Sequence, residues 1–359
     1  MIYLTTTLYD KKYWTSGSYS FLVQMNDDLE PIHFSVIPTP ANLGSKLKPG
    51  LRGIDTIPWL ENALAIGSWN KILIFDIKSS RVIQSISHPN FHDIHGLICS
   101  NDGFWITCAG KGLLQVSPKG RIINEIKVDV ELFDDGDENR SKGKNIIGKY
   151  PSSFSFVFND EKGDIYLSVQ KKDHEINKNG GIYKYNINSH KLEPIYIGTS
   201  WIHDGLWVGS NCYFHDSMDG LVSFNMKTNK TLKRNYLGEK YFSRGLIYNE
   251  MKKEIISFGT EKESMKNKYG FQRITGKFKP KAAIMDLEMN IKRIIDLSWI
   301  ADNFKDVSDI RIFSGVHMNH NINHLKLKST KDRVYETYYN YFYKIYMFKD
   351  RLKKFMLKT

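Results

Sequence analysis

The chain has 359 residues, 41% hydrophobic and 25% charged, with a formal net charge of +12. That is too long for one ordinary compact domain unless the chain is built from repeats. No stretch of 18 apolar residues occurs, which argues against a membrane span. The three cysteines, Cys99, Cys108 and Cys212, have no metal-type spacing, and the N-terminus MIYLTTTLYDKKYW lacks a secretory pattern. The expectation is a soluble, cytoplasmic protein.

The positive charge does not read as a nucleic-acid footprint. From Thr330 to Thr359 eight Lys/Arg stand against three Asp/Glu, and the rest is spread thinly along the chain. No nucleic-acid partner is expected.

In chain order, IYLTTT (2–7) reads as a strand of a type called B here. YSFLVQMNDDLEPIHFSVI (19–37) follows as two alternating strands, C and D, around a polar turn. A strand A with a polar-Gly-aliphatic triplet, Arg52-Gly53-Ile54, opens the first complete unit. Strand B is LAIGS (64–68), and the C-turn-D pattern is KILIFDIKSSRVIQSI (71–86). The order then repeats with the triplets His95-Gly96-Leu97, Asp204-Gly205-Leu206 and Arg244-Gly245-Leu246. Their B strands are FWITC (104–108), CYFHD (212–216) and IISFG (255–259). Between them, SSFSFVFN (152–159) is a degenerate strand A without Gly, followed by IYLSV (165–169). A last triplet, Ser314-Gly315-Val316, opens a strand A with no B, C or D after it.

Five complete units and two partial ends predict an all-β, six-bladed β-propeller over residues 1–328. The C-terminal strand A closes the ring beside the N-terminal B, C and D, which removes the radial end of an open array. A seventh blade would require a further unit within 1–50. Residues 329–359 form a second region. Val334, Tyr338, Phe342, Ile345, Phe348, Leu352 and Phe355 recur at helical spacing, so 331–357 is expected to be a basic amphipathic helix. It packs on the ring or docks weakly on a membrane surface or a protein partner. Segments 128–150 and 261–281 interrupt the repeat. DDGDEN (134–139) lacks the glycine spacing of an EF-hand and reads as a solvated loop. His317, His320 and His324 read as incidental.

In this architecture strand A is innermost. Polar residues near its start should line the mouth of a solvated central channel: Arg52, His95, Ser153, Asp204, Arg244 and Ser314. Immediately upstream lie His92, Asp93, His203, Ser243, Asp309 and Arg311, and His215 and Asp216 end a strand B. Two arginines can fork onto a carboxylate or phosphate. The candidate catalytic residues are therefore His95, Asp204, His203 and His215, and the candidate substrate-binding residues are Arg52, Arg244, Ser314 and Ser153. Asp204, Asp216 and His215 form a candidate set for one divalent ion, Ca, Mg, Mn or Zn. A His or Asp before strand A can equally brace its own blade. No nucleotide cofactor is expected, because no Walker loop, nucleophile elbow, HExxH or cysteine-based zinc pattern occurs.

In blade pattern and His-rich A strands, residues 1–320 resemble six-bladed propellers of the gluconolactonase, senescence-marker and streptogramin-lyase type. The resemblance implies one divalent ion at the channel mouth and lactone hydrolysis or elimination. Sites of that type begin with an acidic ligand on an A strand. Here the first A strand offers Arg52, and Asp204 holds an A-strand position suited to such a ligand. The first expectation is a hydrolase or lyase acting on a small polar, anionic substrate. The second is a non-catalytic propeller that binds a glycan or a protein.

Overall fold

A computed structural model describes residues 1–9, 19–37, 51–91, 94–108, 112–126, 152–171, 180–199, 202–216, 220–234, 241–261, 279–299 and 309–318. The chain divides into two compact units, Met1–Asn319 and His320–Thr359. The expected C-terminal helix, the loop 128–150, most of the insertion 261–281, and His92, Asp93, His320 and His324 lie outside the described residues.

The first unit holds six four-stranded antiparallel sheets, so the expected all-β, six-bladed propeller is what the chain forms. Blade 1 is β4 (Leu51–Thr56), β5 (Ala63–Ser68), β6 (Lys71–Asp76) and β7 (Arg81–Ser87). Blade 2 is β8 (Ile94–Ser100), β9 (Gly103–Cys108), β10 (Gly112–Val116) and β11 (Ile122–Ile126). Blade 3 comprises β12 (Ser152–Asn159), β13 (Ile165–Lys171), β14 (Gly180–Asn186) and β15 (Lys191–Thr199). Blade 4 comprises β16 (Ile202–Val208), β17 (Asn211–Asp216), β18 (Gly220–Asn225) and β19 (Lys230–Arg234). Blade 5 comprises β20 (Tyr241–Asn249), β21 (Glu254–Glu261), β22 (Lys279–Met285) and β23 (Ile291–Asp296).

Blade 6 is the composite one. β24 (Asp309–His317) pairs with β1 (Ile2–Tyr9), which pairs with β2 (Tyr19–Met25) and then β3 (Pro31–Ile37). The inner strands touch in a closed cycle, β4 to β8, β12, β16, β20, β24 and back to β4. Closure brings residues far apart in sequence together: the Met318 N–H donates to the Met1 carbonyl at 2.9 Å.

Burial follows radial position. The second strands β5 and β9 are buried along their whole length, because neighbouring blades cover both faces. Their sequences, ALAIGS and GFWITC, are correspondingly apolar without alternation. The outer strand β19 is exposed throughout and reads KTLKR. Apolar side chains fill the seams between blades. Phe21 and Val23 of blade 6 meet Ile256 and Phe258 of blade 5, and Ala65 and Ile74 of blade 1 meet Leu97 and Ile106 of blade 2. Each fully buried aliphatic there contributes about 1.5–3 kcal/mol.

The turn between the third and fourth strands is built alike in all six blades. One residue is left-handed: Leu29 (φ 65°), Ser80 (53°), Gly120 (87°), His190 (54°), Asn229 (51°) and Met289 (62°). An acceptor side chain opens each turn and takes backbone N–H groups within it. These acceptors are Asn26, Asp76, Ser117, Asn186, Asn225 and Asp286. Short polar side chains that bond the backbone two or more residues on favour such turns over continued strand. Leu29 and Met289 tolerate the left-handed conformation because both are 1% exposed and anchored in apolar seams.

Candidate functional site

The repeated triplet is the site of a β-bulge. Pairing between the first and second strands slips between Leu51 and Ile54, Ile94 and Gly96, His203 and Leu206, and Ser243 and Leu246. The degenerate third copy slips between Phe154 and Phe156. The composite blade slips opposite Thr5 and Thr6, where the partners pass from Ser314 to Ile312. An extra residue on the inner strand bends it and breaks its ladder.

The glycine of the triplet is required by closeness of the next inner strand. A Cβ on Gly53 would lie 2.6 Å from the Leu97 nitrogen, and one on Gly96 would lie 2.7 Å from the Val157 nitrogen. On Gly205 it would meet the Phe158 ring at 2.1 Å. The triplets thus abut across the blade 1–2 and 2–3 seams, and the glycine-free third blade supplies the bulky Phe158 against Gly205 of blade 4.

Inner strands expose backbone groups toward the next blade that no sheet partner satisfies, and side chains complete them. The Thr5 hydroxyl donates to the Arg52 carbonyl at 3.1 Å, and the Ser168 hydroxyl donates to the Asp204 carbonyl. Carboxylates accept the N–H groups. Asp55 Oδ2 takes the Cys99 N–H at 2.7 Å, and Asp204 Oδ2 takes the Gly245 N–H at 2.8 Å.

Asp204 is also left-handed, with φ 57°. Its carboxylate meets His215 Nδ1 at 3.1 Å, and His215 Nε2 meets the Ser257 hydroxyl at 2.6 Å. Against a carboxylate Nδ1 donates, and in the neutral imidazole Nε2 then accepts from Ser257. Carboxylate, imidazole and hydroxyl stand in the order of a nucleophile relay. Their setting differs from one. Ser257 is 0% exposed and lies mid-strand, paired with Leu246 on one side and Ala283 on the other. An acyl group has no space to reach it. The chain of bonds instead ties blade 4 to blade 5.

The predicted residues fall into two groups. His203, Asp204, His215 and Asp216 are 7%, 4%, 0% and 3% exposed, so they do not face an open, solvated channel as expected. They are enclosed on the paired strands β16 and β17, and both ring nitrogens of His215 already have partners. A metal at this position would have to displace one of them. Among the described residues, no group of three or more His, Cys, Asp or Glu side chains is placed to hold a metal ion. Arg52 and His95, by contrast, each keep exposed surface at the triplet position of adjoining strands. For Ser153, Arg244 and Ser314 the backbone register is described: opposite Gln170, beside the Ser243–Gly259 pair, and opposite Thr5.

Sequence reasoning missed Asp55, Ser168 and Ser257. One signal was available. The second strands β1, β9, β13 and β21 each carry a hydroxyl that is 0% exposed: Thr5, Thr107, Ser168 and Ser257. Polar groups in such positions must find partners, and Thr107 accepts the Gly96 N–H at 2.8 Å.

Burial raises the Asp55 carboxyl to about 6, against the opposing pull of the N–H groups of Cys99 and Thr56. Burial likewise pushes the Cys99 and Cys212 thiols well up, which marks them as inert.

No family model matches the chain, and no curated protein matches its sequence. Solved structures do. A protein of unknown function from Bacteroides caccae is 11% identical with a TM-score of 0.52, over 88% of this chain and 99% of that one. Hydrazine synthase from Kuenenia stuttgartiensis is 12% identical with a TM-score of 0.43, over 69% and 66%. The extracellular domain of a putative one-component system from B. thetaiotaomicron is 13% identical with a TM-score of 0.44, over 82% of this chain and 36% of that one. The first of these likenesses is one of fold, and what it identifies is a β-propeller.

Proposed function

We propose that the protein acts on a small polar, anionic substrate at the axial mouth of the ring, as a hydrolase or lyase. The observation that carries this reading is the pairing of Arg52 with His95. Each holds the triplet position of its inner strand, the two strands are in contact, and both side chains keep exposed surface. Arg52 anchors the anion, and His95 serves as general acid or base. Arg244, Ser314 and Ser153 occupy the corresponding strands of other blades and are proposed to contribute to binding. His203 and Asp204 on the inner strand β16, with His215 behind it on β17, are proposed to hold that strand in place. The likeness to lactonase-type propellers suggests lactones as the first substrates to try.

A second reading, a non-catalytic propeller that binds a glycan or protein, has its own support. His203 and His215 are buried, which leaves His95 as the partly exposed member of the predicted acid–base histidines. One experiment separates the two. Small carboxylates, phosphates and lactones are screened by calorimetry and by turnover. Binding lost in Arg52→Ala, with turnover lost in His95→Ala, supports the enzyme. Binding without turnover supports the second reading. Anion binding unchanged in Arg52→Ala rules out the site.

A further inference from the structure

The inner strands of blades 1 and 2 carry Arg52 and His95, and the Asp55 side chain links the two strands further along. Asp55 on β4 accepts the Cys99 N–H of β8 at 2.7 Å through Oδ2. Its Oδ1 accepts the Thr56 N–H at 2.8 Å. Both donors are neutral backbone groups. The elements packed against β4 are β5, β8, β24 and β1. β5 carries no titratable group, β8 carries His95 and Cys99, and β1 carries Tyr3 and Tyr9. β24 carries Asp309, Arg311 and His317.

We propose that the Asp55 carboxyl is a proton-operated clasp between the first two blades, which adjusts how the mouth bearing Arg52 and His95 receives an anion. Asp55 is half-buried, and the loss of water around its carboxylate is a cost that the Cys99 and Thr56 donors only partly offset; proton uptake relieves it. The neutral acid still accepts the Cys99 N–H through its carbonyl oxygen, so the strands stay joined while the negative charge near the anion site disappears. Acidification therefore removes the desolvation cost while keeping the seam bond, which raises the stability of the folded ring and strengthens the hold on an anion.

The clasp itself is independent of the proposed function; its effect on anions rests on that reading. Burial sets the Asp55 carboxyl at about 6 in the folded chain, above its unfolded value, so the folded state binds the extra proton. Stability from this group is full below about pH 4 and is lost as the pH rises through about 6.

Three measurements test the proposal. Carbon-13 NMR of the aspartate carboxyls in the intact protein should show one titrating near pH 6; a set that has all titrated below about pH 4.5 overturns it, with no variant needed. Thermal melting of the wild type should fall by about 2 °C between about pH 5 and about pH 7, and Asp55→Asn should remove most of that slope. An unchanged slope in a folded Asp55→Asn overturns it. Sulfate, whose charge is constant across this range, is the anion probe. Its affinity should rise about threefold more on acidification in the wild type than in Asp55→Asn. If sulfate fails to bind while the first two results hold, the clasp stands and the anion site falls. If sulfate binds with the same pH response in both proteins, the coupling falls and the site stands.

Discussion

The Asp204 carboxylate reaches across a blade boundary and accepts the backbone N–H of Gly245 at 2.8 Å. Asp204 is the first residue of one triplet and Gly245 the second residue of the next copy. The bond completes a donor that a bulged inner strand would otherwise bury without a partner. Asp55 does the same for Cys99 at another boundary, at 2.7 Å. Ring closure thus depends on individual acceptors as well as on apolar seams.

Asp204→Ala removes the partner of both Gly245 and His215. The expected loss is about 3–5 kcal/mol, because buried polar groups are left unsatisfied. Chemical denaturation measures it. A loss under about 1 kcal/mol would show that the bonds to Gly245 and His215 do not hold the blades.

Ser257→Ala and His215→Gln test the brace between blades 4 and 5. Each alone should cost about 1–3 kcal/mol, and together they should cost less than the sum by about 1 kcal/mol or more. Additive losses in the double-mutant cycle would mean that the 2.6 Å contact carries no energy.

Glycine substitutions should divide by location. Gly53→Ala and Gly96→Ala place a Cβ within 2.7 Å of a neighbouring backbone nitrogen, so the inner strands must separate. Each should cost more than about 2 kcal/mol. Gly163→Ala meets nothing within 4 Å but sits at φ +83°, so conformational strain alone applies. That cost should be about 1 kcal/mol. Equal effects on melting temperature would contradict close packing at the triplets.

Cys99, Cys108 and Cys212 are buried, at 5%, 1% and 1% exposure. The folded protein should react with a thiol reagent at least about a hundredfold more slowly than the denatured chain. Rapid modification of any of the three in the native state would show that the blades open far more readily than these seams allow.

Most of the architecture was legible in the chain. Alternating strands on either side of a polar turn recur because the outer strands present faces of unequal burial. The split ends, IYLTTT and SGVHMN, matched complementary parts of one unit, so the composite blade followed from counting. Part of the turn chemistry was also on view. Asn26, Asp76, Ser117, Asn186, Asn225 and Asp286 recur just before each left-handed residue.

The candidate site was less legible. His215 and Asp216 end a strand, which suggested a solvated mouth, yet burial depends on how the next blade lies over them. Ser257 is 42 residues from His215, and no spacing rule relates them. Cys99 is 44 residues from Asp55, and nothing in the local sequence of Asp55 points to it as a partner.

Periodicity belongs to the backbone and repeats with the units, so the primary structure alone determined the number of blades, the strand order and the way the ends join. Which polar side chains meet water and which meet one another was decided by the tertiary structure. Exposure and partnership at the inner strands are set by the neighbouring blade, and in a closed ring that neighbour supplies the atoms that local sequence does not contain.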